Sequence, residues 1–355
     1  MRRLLAFVLL LLMLPVRAAP PVFAPVTPGR ALAFPADFGA HPDYRTEWWY
    51  ATGWLADADG KPLGFQVTFF RSRTDADAAN PSAFAATQLI IGHAALSDPA
   101  RGGLLHAQRS ARAGFGLAYA RAGDTDVKLD DWTLRRLPDG RYQAAIRSGE
   151  LALTLTLAPS QPLLPQGDRG FSRKGPGAGR ASYYYSEPQL RVTGEVVRAG
   201  RRTAVTGTAW LDHEWSSQVL DANAAGWDWT GINLDDGAAL MAFRIRAKDG
   251  GTVWSHAVLR DARGRVTQYE GDAVRFTPRT LWTSPRTGAA YPVALDLDTG
   301  PVRWHIAPLQ PDQELDARGS TGAVYWEGAV RVSRDGQAAG RGYLELTGYV
   351  SPMKL

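Results

Sequence analysis

An all-β chain of two tandem antiparallel barrels is what the sequence predicts, and three observations carry it. From Arg45 onward, short runs of β-branched and aromatic residues are broken by Gly, Asp and Pro at spacings typical of strands. Helical periodicity is weak throughout; only Ala76–Ala86 and Ser216–Ala225 are expected to hold a short helix. Two motif pairs recur in the same order in the two halves, as a duplicated barrel would produce.

The chain opens on a leader. Met1–Arg3 is basic, Leu4–Leu14 is apolar, and Val16-Arg17-Ala18 forms a small-x-small cleavage site, the pattern of an exported protein. Residues 1–18 are therefore expected to be a signal peptide, residues 19–44 an extended, proline-rich lead-in, and the mature protein periplasmic or secreted. Of 40 lysines and arginines, Arg2, Arg3 and Arg17 lie in the leader, which leaves 37 basic side chains against 35 acidic ones. So slight an excess implies no nucleic-acid surface. With no cysteine among 355 residues, disulfides, thiolate metal sites and cysteine nucleophiles are excluded.

Strands are expected at Glu47–Leu55, Leu63–Arg71, Trp132–Arg136, Tyr142–Ile146 and Leu151–Leu157. The last, LALTLTL, alternates as a strand with one buried face should. Asp59-Gly60, Asp139-Gly140, Asp236-Gly237, Asp249-Gly250 and Asp335-Gly336 are hairpin signals. In the first motif pair, Trp48-Trp49-Tyr50 with Leu55 and Asp57 matches Trp227-Asp228-Trp229 with Leu234 and Asp236. In the second, Gly207–Asp212 matches Gly340–Glu345 as G-x-small-aromatic-Leu-acid, and each follows a G-x-V strand at Gly194 or Gly328. The first barrel is placed at residues 45–222 and the second at 223–355.

Between them lies the densest stretch, Gly207–Gly231, with four tryptophans. On a strand, Trp210, Asp212 and Glu214 share one face, and Leu211, His213 and Trp215 the other. The acids are either a proton donor with its modulator in a dry pocket, or structural groups hydrogen-bonded to backbone or to an arginine such as Arg45, Arg71, Arg191 or Arg246. The Gly- and Pro-rich segment Gln161–Ala181, with Arg169, Arg173, Lys174 and Arg180, reads as a solvated loop or as a lid whose cations meet an anionic head group.

The stretches HPDYRTEWWYATGWL, SYYYSEPQLRVTGEV, GTAWLDHEWSSQ, GWDWTGINLDDG, YWEGAVRV and GYLELTGY resemble the carotenoid 1,2-hydratase (hydroxyneurosporene synthase) family. That resemblance runs from about His41 to Tyr349 and implies two lipocalin-like barrels. It implies an exported companion of an ABC transport system or a membrane surface, and activity as a hydratase, or more distantly a cyclase, on an isoprenoid or lipid.

Hydrating an isolated alkene needs a protonated acid, surfaces that tolerate a carbocation, and water, but no cofactor or metal. Asp212 and Glu214 are the expected acid and modulator, provided that they are desolvated. Trp48, Tyr50, Tyr183, Tyr185, Trp210, Trp227 and Trp229, with Tyr184 beside them, are the expected ligand-binding rings, since aromatic faces attract cations. A barrel lumen is the expected container. A carrier without catalysis fits the same residues, and a carbohydrate binder would expose its tryptophans on a flat face. His213 is expected to pack and hydrogen-bond. His41, Asp43 and Glu47 lack metal-ligand spacing and are expected to form a capped turn. No G-x-S-x-G, P-loop or H-E-x-x-H pattern occurs, which leaves hydrolase, kinase and zinc-protease readings without support.

Overall fold

The structure, a computed structural model, describes residues 22–77, 80–177 and 179–353, so the leader lies outside the described residues. Among them the protein is all-β, with two single-turn 3-10 segments, Ala36–Phe38 and Gly271–Ala273, and no α-helix. Neither expected helix forms. Ser216–Gln218 ends a long strand, and the described part of 76–86 holds only a bend and a turn, because neither segment has an apolar stripe to bury.

Thirteen strands form the first antiparallel sheet among the described residues. They are β1 (Thr46–Asp57), β2 (Pro62–Arg73), β3 (Gln88–Asp98), β4 (Gly103–Arg112), β5 (Ala118–Ala120), β6 (Asp126–Leu129), β7 (Trp132–Arg136), β8 (Tyr142–Ser148), β9 (Leu151–Ala158), β10 (Leu164–Pro165), β11 (Phe171–Arg173), β12 (Ala181–Arg198) and β13 (Arg201–Gln218). The order is β4-β3-β2-β1-β13-β12-β9-β8-β7-β6-β5, and the sheet curls until β3 and β4 meet β5 and β6 as a nearly closed barrel. Ten more strands form the second sheet: β14 (Ala224–Leu234), β15 (Ala239–Ala247), β16 (Thr252–Arg260), β17 (Val266–Glu270), β18 (Val274–Thr283), β19 (Ala290–Thr299), β20 (Val302–Pro308), β21 (Glu314–Ala317), β22 (Ala323–Arg334) and β23 (Gln337–Leu346). Its order, β17-β16-β15-β14-β23-β22-β20-β19-β18, makes a half-barrel. The two correspond to tandem lipocalin-like barrels.

All five Asp-Gly pairs turn hairpins, their glycines at φ between +74° and +89°. In β9, leucines 151, 153, 155 and 157 point inward while alanine and threonine point out, and burying each leucine contributes about 2 kcal/mol. With Trp49, Phe65, Phe69 and Trp132 they fill the first barrel. Tyr291, Leu297, Trp326 and Leu344 do the same for the second.

The internal repeat holds at the level of strand register. Tyr50 lies opposite Asp212 and Leu55 opposite Gly207, just as Trp229 lies opposite Glu345 and Leu234 opposite Gly340. Both glycines are needed for close approach: a Cβ on Gly207 would sit 1.9 Å from the Trp54 carbonyl oxygen, and one on Gly340 2.5 Å from that of Asn233. The G-x-V match does not hold, since Gly194 lies opposite Val205 but Gly328 opposite Leu344. A bulge between Glu187 and Leu190 shifts β12 out of step.

The repeats pack through their matching strands, β1 and β13 against β14 and β23. Trp54 Nε1 donates to the Gly342 carbonyl (2.9 Å), and Asn233 Nδ2 to the Ala209 carbonyl (3.0 Å). These bonds join equivalent positions in opposite directions, the mark of a pseudo-twofold axis. The β12 bulge adds to the seam, where the Gln189 backbone N–H donates to Asn233 Oδ1 at 2.8 Å.

Candidate functional site

Alternation along β13 turns Trp210, Asp212 and Glu214 toward the seam, while Leu211 enters the first core and His213 and Trp215 face the lead-in. With both barrel interiors packed by side chains, the apolar cavity lies between the sheets and not in a lumen. Trp48, Tyr50 and Phe70 line it from the first sheet, Trp227, Trp229 and Phe243 from the second. Trp48 and Trp227, equivalent in the repeat, stand half-buried at its mouth. Its free volume of about 90 Å³ admits a slender chain segment; a long polyene would have to extend through the mouth.

Three carboxyls and one ammonium line this aromatic space. Glu214 pairs with Lys174 at 2.9 Å, and the ammonium also sits over the rings of Phe243 (4.3 Å) and Tyr184 (4.7 Å). Burial lowers the lysine's pKa, and Glu214 opposes the shift. The other two acids, Glu327 and Glu345, lie directly opposite across β22 and β23. Burial pushes Glu327 well above the ordinary carboxylate range, and Glu345 adds to the shift. Burial likewise raises Glu345 to about 7. Tyr50 donates to Glu327 Oε2 at 2.8 Å and Trp227 Nε1 to Glu345 Oε2 at 2.8 Å. Glu327 Oε1 is buried with no hydrogen-bond partner. Two like charges so placed in a dry site cannot both ionise easily, so the pair retains a proton.

Asp212 sits one layer behind. It is 2% exposed and accepts from Tyr184 (2.8 Å), Ser186 (2.5 Å) and Trp210 Nε1 (2.7 Å). Burial still raises it to about 7 against those three donors. Tyr184 in turn accepts from Trp229 Nε1 at 3.1 Å, so Asp212 holds the wall that the cavity uses. None of the proposed arginines meets either acid: Arg71 binds Glu47 and Arg246 binds Asp228.

Residues 25–349 match the AttH-like family. The chain belongs to that family. A crystal structure of an AttH protein from Nitrosomonas europaea is 62% identical and superposes with a TM-score of 0.88 over 92% of this chain and 99% of that one. Kievitone hydratase from Nectria haematococca shares the fold at 12% identity, with a TM-score of 0.70 over 94% of this chain and 98% of that one. CghA does so at 14% identity, with a TM-score of 0.55 over 93% and 97%. No curated protein matches the sequence.

In this AttH-like chain, Trp48, Tyr50, Trp227, Trp229 and Glu214 line this cavity between the sheets, not the barrel lumen expected to contain them. Tyr183, Tyr185 and Trp210 do not. Tyr183 and Tyr185 pack with Trp215 against the lead-in, because the middle tyrosine of the triplet is the one on the seam face. Trp210 lies behind Trp229, edge-to-face at 6.5 Å. Sequence reasoning missed Glu327, and it read Glu345 only as the counterpart of Asp212. Weighing the second repeat equally with the first would have found Glu345, whereas Glu327 has no counterpart in either motif pair. Lys174 is neither a solvated cation nor a head-group ligand; it turns inward to a carboxylate of the protein, while Arg169 and Arg173 stay exposed.

On the far face of β13 the AttH-like chain carries a second buried cluster. Glu47 accepts from Arg71 Nε (2.7 Å), pairs with His41 Nδ1 (2.7 Å) and bonds His213 Nε2 (2.9 Å). His41 Nε2 reaches Asp37 at 3.0 Å, so both nitrogens of that ring face carboxylates, and bonds to Asp37 and Glu47 raise its pKa against burial. Its ring stacks on Trp215 with centroids 3.7 Å apart. Burial lowers the pKa of His213, and its Nδ1 lies 3.1 Å from the Tyr185 hydroxyl. His41, Glu47 and His213 could present three atoms within 4.8 Å to one metal ion. In the structure those three atoms pair with one another, while Arg71 holds the other Glu47 oxygen and Asp37 the other His41 nitrogen, an ion-pair network that clamps the lead-in to β13. Asp43 takes no part through its side chain.

Proposed function

We propose that this protein holds a slender unsaturated apolar ligand, an isoprenoid or lipid, between its barrels and protonates it, in the manner of a carotenoid 1,2-hydratase or a lipocalin-like cyclase. The observation that carries this reading is that Glu327 and Glu345 lie directly opposite each other inside an aromatic wall, where burial and their mutual repulsion favour the retention of a proton. Glu327 gives its proton to one alkene carbon, whose π electrons form the new C–H bond. The adjacent carbon becomes a tertiary cation facing Trp229, Tyr50 and Phe243, whose ring faces stabilise it. Water then bonds that carbon and returns a proton to the carboxylate; in a cyclase, a second alkene attacks instead. Glu214 balances Lys174, and Asp212 positions Tyr184 and Trp229. A hydratase is among the proteins sharing this two-barrel frame, and the leader supports action outside the cytoplasm, beside a membrane or an envelope transporter.

Glu327→Gln tests the assignment. The variant is expected to keep quenching of tryptophan fluorescence by a short isoprenoid alkene and to lose its hydration or cyclisation, read by mass spectrometry. Turnover surviving in the variant removes Glu327 as donor. Binding without turnover in the unmodified protein, with lipid co-purifying, establishes the carrier reading instead.

A further inference from the structure

The same cavity has a property that alkene chemistry alone does not require. Its carboxyls, Glu214, Glu327 and Glu345, outnumber its single ammonium, which is ion-paired with Glu214 at 2.9 Å and donates to Ser172 Oγ at 3.0 Å. Glu327 Oε1 lies in the cavity wall without a partner. The surrounding rings already bind a cation, because Lys174 Nζ rests over Phe243 and Tyr184 at 4.3 and 4.7 Å. Trp48 and Trp227, flanking the mouth, extend that aromatic lining outward.

We propose that the cavity is selective for organic cations: a ligand bearing a quaternary or tertiary ammonium on an apolar tail, seated among Trp48, Tyr50, Trp227 and Trp229 with its charge against Glu327 and Glu345. The inference rests on the cavity being the ligand site, but not on any reaction there. A bound ammonium supplies the positive charge that the acid pair lacks, so both carboxyls ionise when it enters and proton release accompanies binding. Other groups facing the pair are Tyr50 on β1, Tyr325 on β22, Tyr343 on β23, Glu214 on β13 and Lys174 on the loop before β12. The tyrosines stay neutral and Lys174 stays paired, which leaves Glu327 and Glu345 to answer the ligand's charge.

The probe pair is hexyltrimethylammonium and its neutral isostere 2,2-dimethyloctane, titrated into the full-length protein at pH 5.5 and 8.5 with tryptophan fluorescence as the readout. The cation is expected to bind about tenfold or more tighter than the isostere at pH 8.5, as cation–π contact with a desolvated carboxylate implies. The preference should shrink at pH 5.5. A Glu327→Gln, Glu345→Gln double variant should lose the preference for the cation, and a preference kept in full by that variant overturns the inference. Equal or weaker binding of the cation at both pH values overturns the inference and leaves the apolar site standing. If neither probe binds, the cavity is not a ligand site and both readings fall together.

Discussion

Asp212→Asn separates a structural carboxyl from an ordinary surface acid. In the unfolded chain this group titrates near 4, whereas in the folded protein burial raises it to about 7. Between those values the native state holds a proton that the unfolded state has released, so stability falls as pH rises through that window. A displacement from 3.8 to about 7 corresponds to about 4 kcal/mol at ~1.4 kcal/mol per unit, an order-of-magnitude figure for so buried a group. Asparagine carries no such slope, but its amide nitrogen cannot accept from Tyr184, whose hydroxyl already takes the Trp229 N–H. Leaving that hydroxyl proton unpaired costs about 1–3 kcal/mol. The variant should therefore be the less stable protein at pH 5, with the gap closing or reversing by pH 8.5. Urea denaturation of both proteins at half-unit pH steps measures this. A constant gap across the range refutes the burial of an un-ionised Asp212.

Two further substitutions probe the frame. Gly207→Ala should destabilise more than Gly340→Ala, since the added Cβ meets a backbone oxygen at 1.9 Å in the first and 2.5 Å in the second. Overpacking of this kind costs about 1–3 kcal/mol, and thermal melts that rank the two in reverse contradict the register. Glu47→Gln should lose about 3–5 kcal/mol at pH 7 by stranding Arg71 and His41. Burial would raise the Glu47 carboxyl, but bonds from His213 and His41 hold it far below the usual range. Its stabilisation is therefore present above about pH 4.5 and lost as acid is added. The deficit of the variant should shrink in acid, and a deficit unchanged from pH 7 to pH 3 rules this out.

What could be read from residues alone was whatever depends on local pattern. LALTLTL declared its buried face, the Asp-Gly pairs declared their hairpins, and the tryptophan pairs 48 and 227 declared the duplication. The alternation of β13 correctly set Trp210, Asp212 and Glu214 apart from His213 and Trp215. Which of two faces meets a cavity is not local: it depends on how the second sheet docks. Hence the pattern marks all three tyrosines 183 to 185 as candidate ligand rings, although only Tyr184 faces the seam. Three donors close off Asp212, whereas its counterpart Glu345 has one, from Trp227, and lines the cavity. The joining of His41 and Glu47 to His213 could not be foreseen, because the partners are 166 residues apart along the chain and nothing in either segment encodes the pairing.

The most direct measurement is infrared difference spectroscopy between the unmodified protein and Glu327→Gln across pH 5 to 9. A carbonyl stretch of a protonated carboxyl, present at pH 7 in the unmodified protein and missing from the variant, is the expected result. Carboxylate bands alone at pH 7, with no protonated carboxyl assignable to Glu327, would mean that water reaches the space between the barrels and that the proposed acid is not there.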